Sequence, residues 1–194
     1  MQNDPLTVDA LIAMIKDRND KVRADAWTRA GKTGAAAVKP LAAVMTSGDA
    51  DREVALAALR ALWRIIHYVG RPGGENEAAA VLPELHGLMA EAWPEALRRE
   101  VLAMLSAIGG AESVPVVVAS LTSSELLEDA RCTLERIPGE ESLAALKEAL
   151  ITVPEKYRNN IAQSLRSRGV KLDHKLYPNE KLVPKKSTEV GAGG

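Results

Sequence analysis

The chain has no phenylalanine, three tryptophans and three tyrosines, so an apolar core has to be built from Ala, Leu, Val, Ile and Met. That palette favours helix over strand. A single cysteine, Cys132, excludes an intramolecular disulfide and cannot supply a Cys-rich metal site. No apolar run approaches the roughly 20 residues of a membrane helix, and the opening Met1-Gln2-Asn3-Asp4-Pro5 lacks the layout of a secretory signal. No membrane association and a cytoplasmic location are therefore expected. A formal net charge of -1 argues against an overall electrostatic attraction to nucleic acid or to an anionic surface.

What the chain does have is an internal repeat. Apolar residues at i, i+4 and i+8 recur as Val22/Ala26/Ala30, Val54/Ala58/Leu62, Leu97/Val101/Leu105, Leu126/Ala130/Leu134 and Tyr157/Ile161/Leu165, in steps of 32, 43, 29 and 31 residues. This spacing lays each set along one face of a helix. A second amphipathic stretch precedes each: Val8 to Ile15, Val38 to Met45, Ala79 to Met89, Val114 to Leu121 and Leu143 to Leu150. Each unit thus reads as a helical hairpin. Gly34, Gly70, Gly109-Gly110, Pro138-Gly139 and Gly169 stand where second helices should end, and Pro94 and Pro154 where they should begin. Hairpins of 30 to 45 residues bury their apolar faces only by stacking on neighbours.

Asp17, Val22-Arg23 and Ala26 with Val38-Lys39-Pro40-Leu41, followed by Val81-Leu82-Pro83-Glu84-Leu85, resemble the HEAT repeat family, in particular its short bacterial form related to the repeats of bilin lyases. The resemblance covers roughly residues 6 to 169 and implies an all-α, right-handed α-solenoid of five hairpins, at about 6–34, 35–70, 76–110, 111–138 and 139–169. In that family a turn Asp and a second-helix Arg form a hydrogen-bonded ladder along the stack. Asp17 and Arg23 match both positions, Arg98 and Arg158 only the Arg, and Ala55 and Leu127 depart from it. Residues 170–194 form a Lys-, Pro- and Gly-rich tail, either disordered or covering the end of the array through Leu172, Leu176, Tyr177, Leu182 and Val183.

No catalytic, metal or cofactor constellation stands out. His67, His86 and His174 fall in different units or in the tail, and Gly70-Arg71-Pro72-Gly73-Gly74 lacks both the Gly-Lys-Ser/Thr ending and the preceding strand of a phosphate loop. Glu128-Asp129 and Glu140-Glu141 suit helix starts, and Trp27 and Trp63 suit packing between repeats, with Trp93 at a turn. The 43-residue step comes with an extra helical turn over Arg64 to Val69, which places His67, Tyr68 and Arg71 on one rim.

Charge separates by layer. The second helices carry 15 Lys and Arg against 11 Asp and Glu, the first helices 3 against 9. In HEAT arrays the second helices line the concave side, so the resemblance implies a mildly basic inner surface there. Arg23, Arg60, Arg64, Arg98, Arg131 and Arg158 would line it, and Lys156, Arg158, Arg166 and Arg168 would form a patch near Lys171 and Lys175. The expected function is a non-catalytic scaffold for another protein, bound through an acidic segment. Two alternatives stay open by resemblance: nucleic-acid binding, as in helical-repeat DNA alkylation-repair glycosylases, and cofactor handling, as in bilin lyases. Exposed terminal helices also leave weak end-to-end self-association open.

Overall fold

The computed structural model describes residues 6–178. Among them the secondary structure is entirely helical. In chain order the α-helices are α1 (Val8–Ile15), α2 (Asp20–Arg29), α3 (Val38–Thr46), α4 (Arg52–Val69), α5 (Glu75–Gly87), α6 (Glu95–Ile108), α7 (Val114–Ala119), α8 (Leu127–Arg136), α9 (Glu140–Thr152) and α10 (Glu155–Ser167).

Local chemistry sets the starts. Thr7, Asn19 and Asp51 each accept a hydrogen bond from a main-chain N–H of the first turn of α1, α2 and α4, which satisfies donors that have no partner within the helix. Pro94 and Pro154 stand directly before α6 and α10. The ends are more varied than glycine capping alone suggests. Gly34, Gly139 and Gly169 adopt left-handed backbone, with φ of 65°, 104° and 82°. Gly70 and Gly109 instead close α4 and α6 in ordinary backbone, by N–H bonds to the carbonyls of Ile66 and Leu105. The left-handed residue of the 70–74 loop is Gly73, at φ 80°. Helix α5 begins at Glu75, earlier than the predicted stretch, and α8 at Leu127.

Each odd-numbered helix packs on the even-numbered helix that follows it. The even-numbered helices also pack in succession, α2 on α4, α4 on α6, α6 on α8 and α8 on α10. One continuous core results. In every i, i+4, i+8 set the last two residues are buried, from Ala26 and Ala30 to Ile161 and Leu165. Leu11, Ile15, Leu41, Leu62, Leu85, Leu102 and Leu105 are fully enclosed, and each buried leucine or isoleucine contributes about 2–3 kcal/mol of apolar transfer. No helix among the described residues is long and apolar enough to cross a membrane.

Part of the tail covers the last hairpin. Val170, Leu172 and Tyr177 pack against the core, and the guanidinium of Arg166 donates to the carbonyl of Tyr177. Leu176 is 71% exposed. Leu182 and Val183, also expected to take part, lie outside the described residues.

Candidate functional site

The arginines expected to form one basic surface have separate uses. Arg23, at the start of α2, donates from Nη1 to the carbonyls of Asp17 (2.8 Å) and Arg18 (2.9 Å). It thereby satisfies main-chain acceptors of its own hairpin turn, while the Asp17 carboxylate accepts from the Asn19 N–H. The bond between this Asp and Arg is therefore to the main chain and stays within one hairpin. Arg158 does the same in the last hairpin, donating from Nε to Val153 O at 3.2 Å. Arg98 is half-buried on α6, its Nε enclosed without a hydrogen-bond partner.

Arg131 is drawn further in, with its side chain only 16% exposed. It donates to Glu128 (2.9 Å), Glu135 (3.1 Å) and Ser164 Oγ (2.6 Å), so it ties α8 to α10. Burial pushes the Glu135 carboxyl up. Hydrogen bonds from Ser164 and Ser167 and the nearby Arg131 charge outweigh that and hold it below its ordinary range. The patch on the last hairpin is similarly occupied. Arg168 donates to Leu134 O, Ile137 O, Gly139 O and Ser142 Oγ, Arg166 to Tyr177 O, and Lys156 lies 4.7 Å over the Tyr157 ring.

Arg60 and Arg64 differ. Both are exposed on α4, and neither has a carboxylate partner among the described residues. Arg64 donates from Nε to Thr28 O of α2 at 3.1 Å, and the Arg60 guanidinium stands 6.0 Å from the centre of the Trp27 ring. Arg60, Trp63, Arg64 and His67 follow i, i+3, i+4, i+7 spacing and so share one face of α4. Trp63 and His67 have ring centres 5.5 Å apart, and Trp63 Nε1 donates to Glu100 of α6 at 3.1 Å. With Trp27, Leu56 and Leu59 these four side chains line a surface hollow of about 430 Å³ whose lining holds two guanidinium groups and no carboxylate. An adjoining hollow of about 280 Å³ toward the start of α4 is lined by Asp20 and Glu53 as well as Arg23 and Arg60.

The rim expected at His67, Tyr68 and Arg71 is divided between two tasks. His67 belongs to the hollow, while Tyr68 and Arg71 form a strut. The Arg71 guanidinium stacks 3.8 Å over the Tyr68 ring and donates to Tyr68 O (2.5 Å) and Glu77 (2.7 Å). That hydrogen bond raises the Arg71 pKa and lowers that of Glu77. Tyr68 in turn seats against Gly31, where a Cβ would come within 3.0 Å of the Tyr68 Cβ. The loop is thus fixed to the 3-10 turn Ala30–Thr33 that follows α2.

His86 on α5 shares a 2.9 Å hydrogen bond with the fully buried Ser113 at the start of α7. Burial lowers its pKa, against an opposing pull from Glu112. Another hollow, of about 670 Å³ at the turns before α2 and α4, mixes Lys16, Arg18 and Arg23 with Asp17, Asp49, Asp51 and Glu53. Among the described residues no group of three His, Cys, Asp or Glu side chains is placed to hold a metal ion. The chain matches no protein-family model and no curated protein.

Two residues of the α4 hollow, Trp27 and Trp63, suit packing between repeats by sequence. They do pack against the core, yet each also keeps surface in the hollow. The signal for this is the Arg60/Trp63/Arg64/His67 stripe, which lies off the apolar face carried by Ala58 and Leu62.

Proposed function

We propose that the chain is a non-catalytic α-solenoid of five HEAT-like hairpins that holds an acidic segment of another protein on its second-helix surface, centred on the hollow between α2 and α4. The successive packing of the even-numbered helices supports the solenoid reading, since stacked hairpins present those helices as one extended surface. The observation that carries the binding reading is the exposure of Arg60 and Arg64 beside Trp27 and Trp63. Arginine and tryptophan are the side chains on which binding energy most often concentrates. The remaining arginines are mostly committed to carbonyls and carboxylates within the fold, which narrows the basic surface from the whole array to this stretch.

Capture from the native lysate with the intact chain, followed by cross-linking of the purified binary complex, tests this reading. Cross-links from Lys21, in the first turn of α2, and Lys32, just past its end, to an acidic segment of the partner are expected. Cross-links confined to Lys39 and Lys147 on the odd-numbered helices would contradict it.

A further inference from the structure

Resting on the scaffold reading, the geometry of the hollow between α2 and α4 points to a specific ligand chemistry. We infer that it recognises a short linear motif in which two carboxylates accompany one aromatic or branched aliphatic side chain. Arg60 and Arg64 are one helical turn apart, which is about 6 Å along α4. Carboxylates two residues apart on an extended segment repeat at about 6.6–6.8 Å, and those four apart on a helix at about 6 Å. Both match the pair. Two carboxylates at that spacing give each arginine a partner of its own.

The guanidinium of Arg64 is already positioned, because its Nε is held by Thr28 O from the neighbouring helix. Its terminal nitrogens remain to donate to a carboxylate, the pairing that a planar guanidinium makes best. Trp63 has its own donor engaged by Glu100 and so contributes ring surface. With Trp27, Leu56 and Leu59 it makes an apolar wall next to the two cations. An aromatic or branched side chain covers that wall without leaving a buried polar group unpaired.

The flanks limit how much negative charge the motif carries. Asp20 and Glu53 border the adjoining hollow, and Glu100 stands beyond Trp63. A long polyanion laid along α4 meets these carboxylates at both sides of the arginine pair, with like-charge repulsion at each. The site therefore favours two localised acids over an extended acidic run or a nucleic-acid backbone.

The test is selection of a displayed random peptide library on the full chain, followed by titration of the enriched peptides using the protein's tryptophan fluorescence. Enriched sequences are expected to carry two Asp or Glu residues spaced by two or four, next to Trp, Phe, Tyr, Leu or Ile. Their affinity is expected to fall about tenfold in the Arg60→Ala, Arg64→Ala double variant and by a smaller factor with Arg60→Lys, Arg64→Lys, which keeps the charge without the planar fork; an unchanged urea midpoint of each variant is the folding control. Enrichment of basic or uncharged sequences overturns the inference. So does tighter binding of a 20-nucleotide oligothymidylate than of any selected peptide. Acidic peptides that bind equally well to the double alanine variant leave the scaffold reading standing and remove this site, whereas no enrichment over a blank surface removes both.

Discussion

The arginines of α4 and those of α8 and α10 look alike in sequence and are used in opposite ways. Arg131 on α8 donates to carboxylates of its own helix and to the Ser164 hydroxyl of α10, and Arg168, just past α10, donates to carbonyls and a hydroxyl of neighbouring elements. On α4, Arg60 and Arg64 stay exposed, with Thr28 O the one main-chain acceptor between them among the described residues. The difference lies in what each arginine finds within reach. Around Arg131 stand Glu128 and Glu135 at three and four residues along the same helix, each ion-paired with it, while Arg60 and Arg64 stand beside Trp27, Trp63 and His67, with Asp20 and Glu53 across the adjoining hollow from Arg60 and not paired with it. Arg131 is held by carboxylates and a hydroxyl, whereas Arg60 and Arg64 have no ion-pair partner among the described residues. Net charge per helix layer does not separate the two.

The most disruptive way to probe this contrast is Arg131→Ala. It removes the cation from Glu135, leaving that carboxylate with the Ser164 and Ser167 hydroxyls alone at the contact between α8 and α10, and is expected to cost about 2–3 kcal/mol, read as a lower urea midpoint with unchanged slope. Arg168→Ala comes next, at about 2 kcal/mol by the same measurement, since the carbonyl of Leu134 loses a charged donor and those of Ile137 and Gly139 are left with the Ser142 hydroxyl. Arg60→Ala and Arg64→Ala are expected to change stability by less than about 0.5 kcal/mol, as for exposed positions free of such features. A loss of stability at Arg60 as large as at Arg131 would dissolve the distinction.

A finer contrast is acid sensitivity. His86 has a folded pKa below its ordinary value near 6.5, so the unfolded chain takes up its proton first. The contribution of the His86–Ser113 contact is complete above that value and is lost as pH falls through the lower folded pKa. Glu135, lowered from an ordinary value near 4.5, likewise contributes above that value, and its contribution fades as pH drops through its folded pKa. Urea midpoints measured from pH 7.5 down to 5 should decline for the native chain and decline less for His86→Gln, which keeps a partner for Ser113 without titrating.

Much of the fold was legible because it is written locally. The i, i+4, i+8 sets place Ala58, Leu62, Val101, Leu105 and Ile161 in the core, and the structure buries all of them. The predicted extra turn over Arg64 to Val69 appears as the 18-residue α4. Helix starts were less legible at α5 and α8, where no side-chain capping bond marks the boundary. The site was legible only in part. Arg60, Arg64 and His67 were expected at a binding surface, and the hollow brings them together. Separating them from Arg131 and Arg168 depends on partners about 30 residues away, such as Ser164 and Leu134, and no periodicity encodes those pairs. The bond from Arg23 to the Asp17 carbonyl shows the same limit. A pairing of residue types indicated proximity, and the main chain turned out to be the acceptor.

Hydrogen–deuterium exchange of the full chain with and without a bound acidic peptide tests the central claim most directly. Slowed exchange is expected on binding at residues 24–28 and 56–67, with 127–136 and 155–167 unchanged. Protection concentrated in α8 and α10, with α2 and α4 unaffected, would contradict the assignment of recognition to the exposed arginines beside the tryptophans.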